Sequence, residues 1–468
     1  MMGKPMKLRS LLIGLAVACA GLAQAQDNHD DEIFGEAAKP SDKNAAKAVK
    51  AEHEQKAAER QTKALMDTLQ IGGRLEVRSS GSQKEQQSFG EGTYIPSKTA
   101  DIYFDTRPSE DIRVFLRTRI TETPNPAATA ATASSTIAQS IDELWFKTDI
   151  ARAVFMTYGK QHVKWGSGRI WNPTDFTARQ SRDPFDLFDR RLGQDMFKIH
   201  IPNEKLGFNY YAIVQLDQAQ RNDDLGLALR GEFAFLGTGE LAVSAQTRRG
   251  EAQRLGLDVS SALGPIDVHV EAAASKRESR SFFRGGILNE ALAIPPEAFQ
   301  DRDKVFKQAV AGIDYTYKYN SDDNISFSAE YFYNELGYEE RFLELYSLIL
   351  AQSPNLYAGR RYVGASIQLP YPGSWNKTAF YLTGLENLSD SSGSARFTTT
   401  ILIANYATFE AYISRCAGDY GELCFKVPES LKQLSSTSGL DPSLQKILGA
   451  LPTQKTVTTA GVGLSINF

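Results

Sequence analysis

The stretch YGKQHVKWGSGRIWNPTD, residues 158–175, is the most chemically dense part of the chain. Lys160, His162 and Lys164 alternate, so an extended backbone puts them on one face. Trp165, Gly166, Gly168, Arg169, Trp171, Asn172, Pro173 and Asp175 follow at once, and Arg179 and Arg182 continue the run in TARQSRDPFDLFDRRLGQD. A second basic group, Arg113, Arg117 and Arg119, lies on one face of DIRVFLRTRIT with few acids beside it. Lysine and arginine grouped this way attract anions, and rings of them favour anions in pores. They do not compose a catalytic centre. His162, His200 and His269 are the histidines on expected strands, and none has a Ser or Asp catalytic context. A hydrolytic base needs a second group to orient it. No zinc spacing, phosphate-binding glycine loop or nucleic-acid module is present. The reading is a protein that is not an enzyme and needs no cofactor or metal.

The elements that hold these residues follow from alternation. In DIRVFLRTRIT, Ile112, Val114, Leu116 and Ile120 oppose the arginines. KLGFNYYAIVQLD, DLGLALRGEFAFL, GELAVSAQTRR, RLGLDVSSAL, PIDVHVEAA and NISFSAEYFYN repeat the pattern, apolar on one side and polar on the other. That is the strand period of two. Sixteen strands are expected, near 69–80, 97–106, 110–122, 139–149, 152–165, 195–201, 205–217, 223–236, 238–249, 252–263, 265–277, 305–319, 323–336, 359–370, 374–387 and 454–468. Short turns alternate with longer connections. The region 388–453 is expected to form one external excursion, partly helical in FTTTILIANYATFEAYI and PESLKQL. Cys416 and Cys424 sit inside it, suited to a short disulfide loop, with a free-thiol or metal role as the alternative.

Composition alone resembles that of a soluble protein: 42% hydrophobic, 23% charged, formal net charge −4. No internal run reaches the roughly 20 apolar residues of a spanning helix. The start contradicts a cytoplasmic protein. MMGKPMKLRS is basic, LLIGLAVACAGLAQA is apolar, and Ala23-Gln24-Ala25 is a small-x-small site, so residues 1–25 read as a secretory signal. Lipidation at Cys19 is the weaker alternative. A closed antiparallel barrel reconciles export with modest hydropathy, because only every second residue then needs to meet lipid. The expected organisation is a signal over 1–25, a periplasmic helical or disordered extension over 26–68, and an all-β transmembrane up-and-down barrel over 69–468. Residues 27–68 are rich in Ala, Lys, Glu and Gln, good helix formers without a wide apolar stripe. They suit either a solvated tether or a helix that docks a periplasmic protein partner.

The last strand, TAGVGLSINF, places Val462, Leu464, Ile466 and Phe468 on one face. It resembles the signal read by the barrel assembly machinery of the outer membrane. The signal peptide, the many strands and the run into WGSGRIWNPTD resemble the large alginate-export-type outer-membrane barrels and their porin-like relatives. The resemblance implies a Gram-negative outer membrane, contact with its lipid, and a pore for anionic polymers or small polar solutes.

Two readings of the basic residues stay open. The charges pair across strands and keep the wall wet, or Arg113, Arg117, Arg119, Lys160, His162, Lys164 and Arg169 face passing anions. The loop after residue 165 likewise has two readings. Trp165, Trp171, Asn172, Asp175, Arg179 and Arg182 form a constriction folded into the lumen, or they belong to an external loop held by Arg–Asp pairs. The function expected is a channel for anionic polysaccharide export or anionic solutes. The alternative is a structural or adhesive barrel in a trans-envelope machine.

Overall fold

The computed structural model describes residues 68–124, 135–187, 190–203, 205–217, 219–235, 237–288, 293–350, 357–436 and 442–468. The expected signal over 1–25 and the extension over 26–68, Thr68 apart, lie outside these residues. The chain divides into two units, residues 1–70 with 106–110, and residues 71–105 with 111–468. The wall described below lies in the second, except for Gln70 and residues 106–109.

Eighteen strands form one sheet. They are β1 (Gln70–Lys84), β2 (Thr93–Ser109), β3 (Ile112–Pro124), β4 (Ser135–Ile150), β5 (Val154–Gln161), β6 (Gln194–Asn203), β7 (Phe208–Gln215), β8 (Gly226–Phe235), β9 (Gly239–Thr247), β10 (Gln253–Leu263), β11 (Ile266–Lys276), β12 (Val305–Lys318), β13 (Asn324–Asn334), β14 (Arg361–Pro370), β15 (Thr378–Asn387), β16 (Ser392–Ala404), β17 (Ala407–Gly418) and β18 (Thr456–Asn467). Each strand pairs with its neighbour in the chain, and β18 pairs antiparallel with β1, Leu75 opposite Ile466 and Val77 opposite Leu464. The sheet therefore closes on itself and leaves no edge.

All sixteen expected strands are present with shifted ends. The count of sixteen is corrected to eighteen, because the expected excursion over 388–453 contains the hairpin β16–β17. Phe397 and Ile403 of β16, like Ile413 of β17, are exposed on the outer face. Arg396, Thr398, Ser414 and Tyr412 alternate with them. Threonines weakened the contrast between the faces. The turn at Asn405-Tyr406 carries no glycine or proline to mark it. Two further strands keep the count even. The second helical expectation holds: Glu429–Gln433 is a helix (α2), between α1 (Arg341–Ile349) and α3 (Pro442–Ala450).

Alternation sorts the wall. Leu75, Val77, Leu227, Leu229, Leu255, Leu257, Val462 and Leu464 are exposed on the outside. Glu76, Arg230, Asp258, His269, Glu271 and Glu330 are buried on the inside. No helix among the described residues is long and apolar enough to cross a membrane. The strands supply the crossing, with backbone groups satisfied between neighbours. Short turns occupy one end, as at Gly264-Pro265, where Leu263 pairs directly with Ile266 and Gly264 takes φ +67°. Longer connections occupy the other end. The first and last strands both have their outer ends at the short-turn end.

Candidate functional site

Strand β5 stops at Gln161, and residues 162–193 leave the wall. His162 and Lys164 are therefore not on a strand, which corrects the expected face shared with Lys160. Lys160 stands in register with exposed Leu144 and with Asp195, and it shares the outward face of β5 with exposed Tyr158, which corrects its expected place toward passing anions. The imidazole Nε2 of His162 lies 3.0 Å from the carbonyl of Arg191, joining the two ends of the excursion.

The excursion docks on inward-facing carboxylates. Glu271 of β11 accepts the amide of Gly168 at 2.7 Å, the amide and hydroxyl of Thr174 at 3.2 and 2.8 Å, and the side-chain amide of Asn172 at 3.1 Å. Glu330 of β13 accepts three successive amides, from Arg169, from Ile170 at 3.0 Å and from Trp171 at 3.2 Å. His269 holds Glu330 in place at 2.7 Å, and the Arg169 guanidinium reaches Asp314 of β12 at 3.1 Å. Glycine is required at 166, where φ is +89° and a Cβ would meet the Glu271 carboxylate at 2.6 Å.

Two tryptophans wedge the excursion against different parts of the wall. Trp165, 3% exposed, packs with Phe176, Met196, Ile213, Ala228 and Ala273. Trp171, 2% exposed, packs with Ile170, Val310, Phe332, Tyr362 and Leu385, its ring stacked 5.5 Å from Phe332. Further along, Arg190 binds Glu76 of β1 at 3.1 Å, and Arg396 of β16 donates to the carbonyl of Phe185 at 3.1 Å. One segment thus touches β1, β11, β12, β13 and β16, which only a path through the barrel interior allows.

The wall arginines are paired. Arg113 makes a two-point bond to Asp105 of β2, at 2.9 and 2.6 Å, and its guanidinium lies 5.4 Å from the Trp145 ring. Arg117 lies 3.6 Å from Glu143, and Arg119 binds Asp101 at 2.8 Å and Asp142 at 2.7 Å. The expectation of few acids beside this group is corrected, because the acids come from neighbouring strands. In sequence they are 8 to 26 residues away (113−105 and 143−117) and only registration brings them across.

A cavity of about 420 Å³ opens beside the docked segment. Trp171, Asn172 and Asp175 line it, as do Arg179, Arg182, Arg191, Arg248, Arg254 and Arg280. The acids in its lining are Asp175, Glu251 and Glu278. Arg191 pairs with Asp175, and Arg179 and Arg248 with Asp217 and Glu251. Arg254 bonds only to an amide oxygen of Gln246 at 3.0 Å, and Arg182 to the carbonyl of Arg169. Arg280 lies over the Phe282 ring with two of its nitrogens buried and unbonded. Among the described residues no carboxylate pairs with these last three. Lys164 stands close by, and burial lowers its ammonium pKa, reinforced by the charges of Arg182, Arg169 and Arg191 and opposed by Asp175. Burial pushes the Asp175 carboxyl up, against Thr177 and Arg191. The expected disulfide is present between Cys416 and Cys424. No metal-holding group of His, Cys, Asp or Glu occurs among the described residues.

Sequence reasoning placed Glu271 and Glu330 on polar strand faces but gave them no task. Their signal was acid at a closed interior level facing a glycine-rich loop, and nothing local names that partner.

No protein-family model and no curated protein sequence matches the chain. Solved outer-membrane porin structures do match in shape. OccAB1 of Acinetobacter baumannii aligns with a TM-score of 0.50 at 9% identity, covering 86% of this chain and 96% of that one. OccK8 (OprE) of Pseudomonas aeruginosa gives 0.50 at 8%, covering 86% and 99%. OccK11 (OpdR) of the same organism gives 0.50 at 6%, covering 86% and 96%. The chain is thus a closed antiparallel barrel with the fold of Gram-negative outer-membrane porins.

Proposed function

We propose that the protein is an outer-membrane channel that passes small anionic solutes through the cavity beside the inserted segment. The carrying observation is the imbalance on that cavity's wall. Six arginines line it against three acids, and among the described residues Arg182, Arg254 and Arg280 have no carboxylate on them. In a water-filled passage with low-dielectric walls, unpaired guanidinium groups lower the free energy of an anion and raise that of a cation. A volume of about 420 Å³ suits a single small solute. Passage of a polymer would need residues 166–182 to move aside, against the bonds to Glu271 and Glu330. This favours solute passage over polysaccharide export. The reading also disfavours a purely structural or adhesive barrel, which has no use for uncompensated charge inside.

Planar-bilayer recording under a KCl gradient tests this. The purified protein should show discrete conductance with a reversal potential on the anion side. Arg182→Ala with Arg280→Ala should move that potential toward the cation side while leaving the barrel folded. Absence of conductance, or cation selectivity in the wild type, overturns the proposal.

A further inference from the structure

Three segments at the long-loop end of the barrel meet in a buried cluster of acids, separate from the cavity. α1 carries Glu344, the β15–β16 turn carries Asp390, and the connection after β17 carries Glu422. They are 0%, 1% and 7% exposed. Glu422 is satisfied as an anion. The amides of Ala358 and Gly359 donate to it at 3.0 and 3.3 Å, Asn387 at 3.3 Å, and the Tyr362 hydroxyl as well. Asp390 accepts the amides of Ser392 at 2.7 Å and Glu422 at 2.6 Å. Glu344 differs. Its Oε2 accepts from Asn387 at 2.8 Å, but its Oε1 is buried with no bonding partner, and its carboxyl faces that of Asp390. The nearest cation, Arg341, is engaged on the backbone oxygen of Asp390 at 2.6 Å and on Asp419 at 3.0 Å. Tyr357 is neutral, and no metal-holding arrangement exists here among the described residues. Two bare carboxylates facing each other out of water repel strongly, whereas one proton between them makes a charge-assisted bond.

We propose that Glu344 keeps its proton and donates it to Asp390, clasping α1 to the β15–β16 turn, and that an alkaline medium opens this clasp. Burial first, then the charges of Asp390 and Glu422, push the Glu344 carboxyl up to about 10. Glu422, raised to about 7 chiefly by burial, ionises earlier and leaves Glu344 as the last protonated acid. The folded value of Glu344 lies above its ordinary 4.5, so the clasp's contribution is full in acid and is lost as pH rises through about 10.

Infrared titration and hydrogen exchange on the full barrel in detergent test the proposal. A protonated-carboxyl band should persist above pH 8 and vanish near pH 10. Over the same step, exchange of the α1 amides should accelerate about tenfold relative to β10 and β11, after correction for base catalysis. Glu344→Gln, whose amide donates at every pH, should show neither change. Should that variant fail to assemble, Glu344→Leu decides, because it has no proton to lose and α1 should keep the same protection from pH 8 to pH 10. Loss of the band below pH 8 in the wild type, or alkaline loss of α1 protection in both variants, overturns the proposal.

Discussion

Phe468 and Gly73 each donate a backbone hydrogen bond to the other, at 3.0 and 2.9 Å. This pair is the last rung of the β1–β18 seam, and it converts a sheet with two edges into a closed wall. A Cβ at Gly73 would meet the Asp101 carbonyl of β2, and the Phe468 ring at 2.7 Å. Two net backbone bonds are worth about 1–3 kcal/mol together. Gly73→Val should therefore slow closure and lower the yield of barrel that resists unfolding in cold detergent, read as loss of the heat-modifiable band on a gel. Gly264→Ala, in a turn with open space around it, strains only its own φ and should assemble far better.

Glu330 turns three loop amides toward one carboxylate, so removing it strands all three. A buried unsatisfied donor costs about 1–3 kcal/mol. Glu330→Ala should free residues 169–171 from the wall, with Gly168, Asn172 and Thr174 still held by Glu271. The expected outcome is larger mean conductance and noisier open-channel current, with heat-modifiability retained. Unchanged conductance and noise would mean that the tryptophan wedges alone fix the segment. Trp171→Ala then separates the contributions, as truncating a buried Trp costs about 3–5 kcal/mol.

The wall was legible in the sequence because lipid imposes a rule on every second residue. Leu225-Gly-Leu-Ala-Leu-Arg needs no neighbour to be read as a strand. The rule fades where both faces carry threonine, as at Thr398, Thr399 and Thr400, and there β16 and β17 read as part of an external, partly helical excursion. The interior was less legible. Arg113 is read locally as a free cation, but its acid is Asp105 across a hairpin. Glu330 is read as one more wet wall residue, but its partners are amides 159 to 161 positions earlier. Side-chain type survives in sequence, while pairing across a closed cylinder depends on register and on a segment that crosses the interior.

Cys416 and Cys424 close an eight-residue separation between the end of β17 and the connection that carries Glu422. Chain-entropy reasoning gives a bridge of that span about 2–3 kcal/mol. The barrel below does not depend on it, since β16, β17 and β18 are paired along their lengths. Cys416→Ser with Cys424→Ser should leave heat-modifiability intact. Protease cleavage within 419–436 should become several-fold faster, and mass spectrometry of the fragments would locate it. Collapse of the whole barrel in the double variant would contradict this division.

Lys164 supplies a pH test of the conducting path. Burial and the charges of Arg182, Arg169 and Arg191 lower its pKa below the ordinary lysine value of 10.5, with Asp175 pulling the other way. A lowered ammonium loses its proton earlier than an ordinary lysine as pH rises, whereas a guanidinium stays charged, so the inserted segment gives up one positive charge. Its deprotonation also relieves like-charge crowding, so the docked segment should not loosen over that step. The expected outcome is a decline of anion preference as pH rises toward the ordinary lysine value, read from the reversal potential, without a rise in current noise. Lys164→Arg, whose guanidinium stays charged, should abolish the decline and keep the neutral-pH selectivity. An identical decline in that variant would move the titrating group elsewhere in the lumen and remove Lys164 from the conducting path.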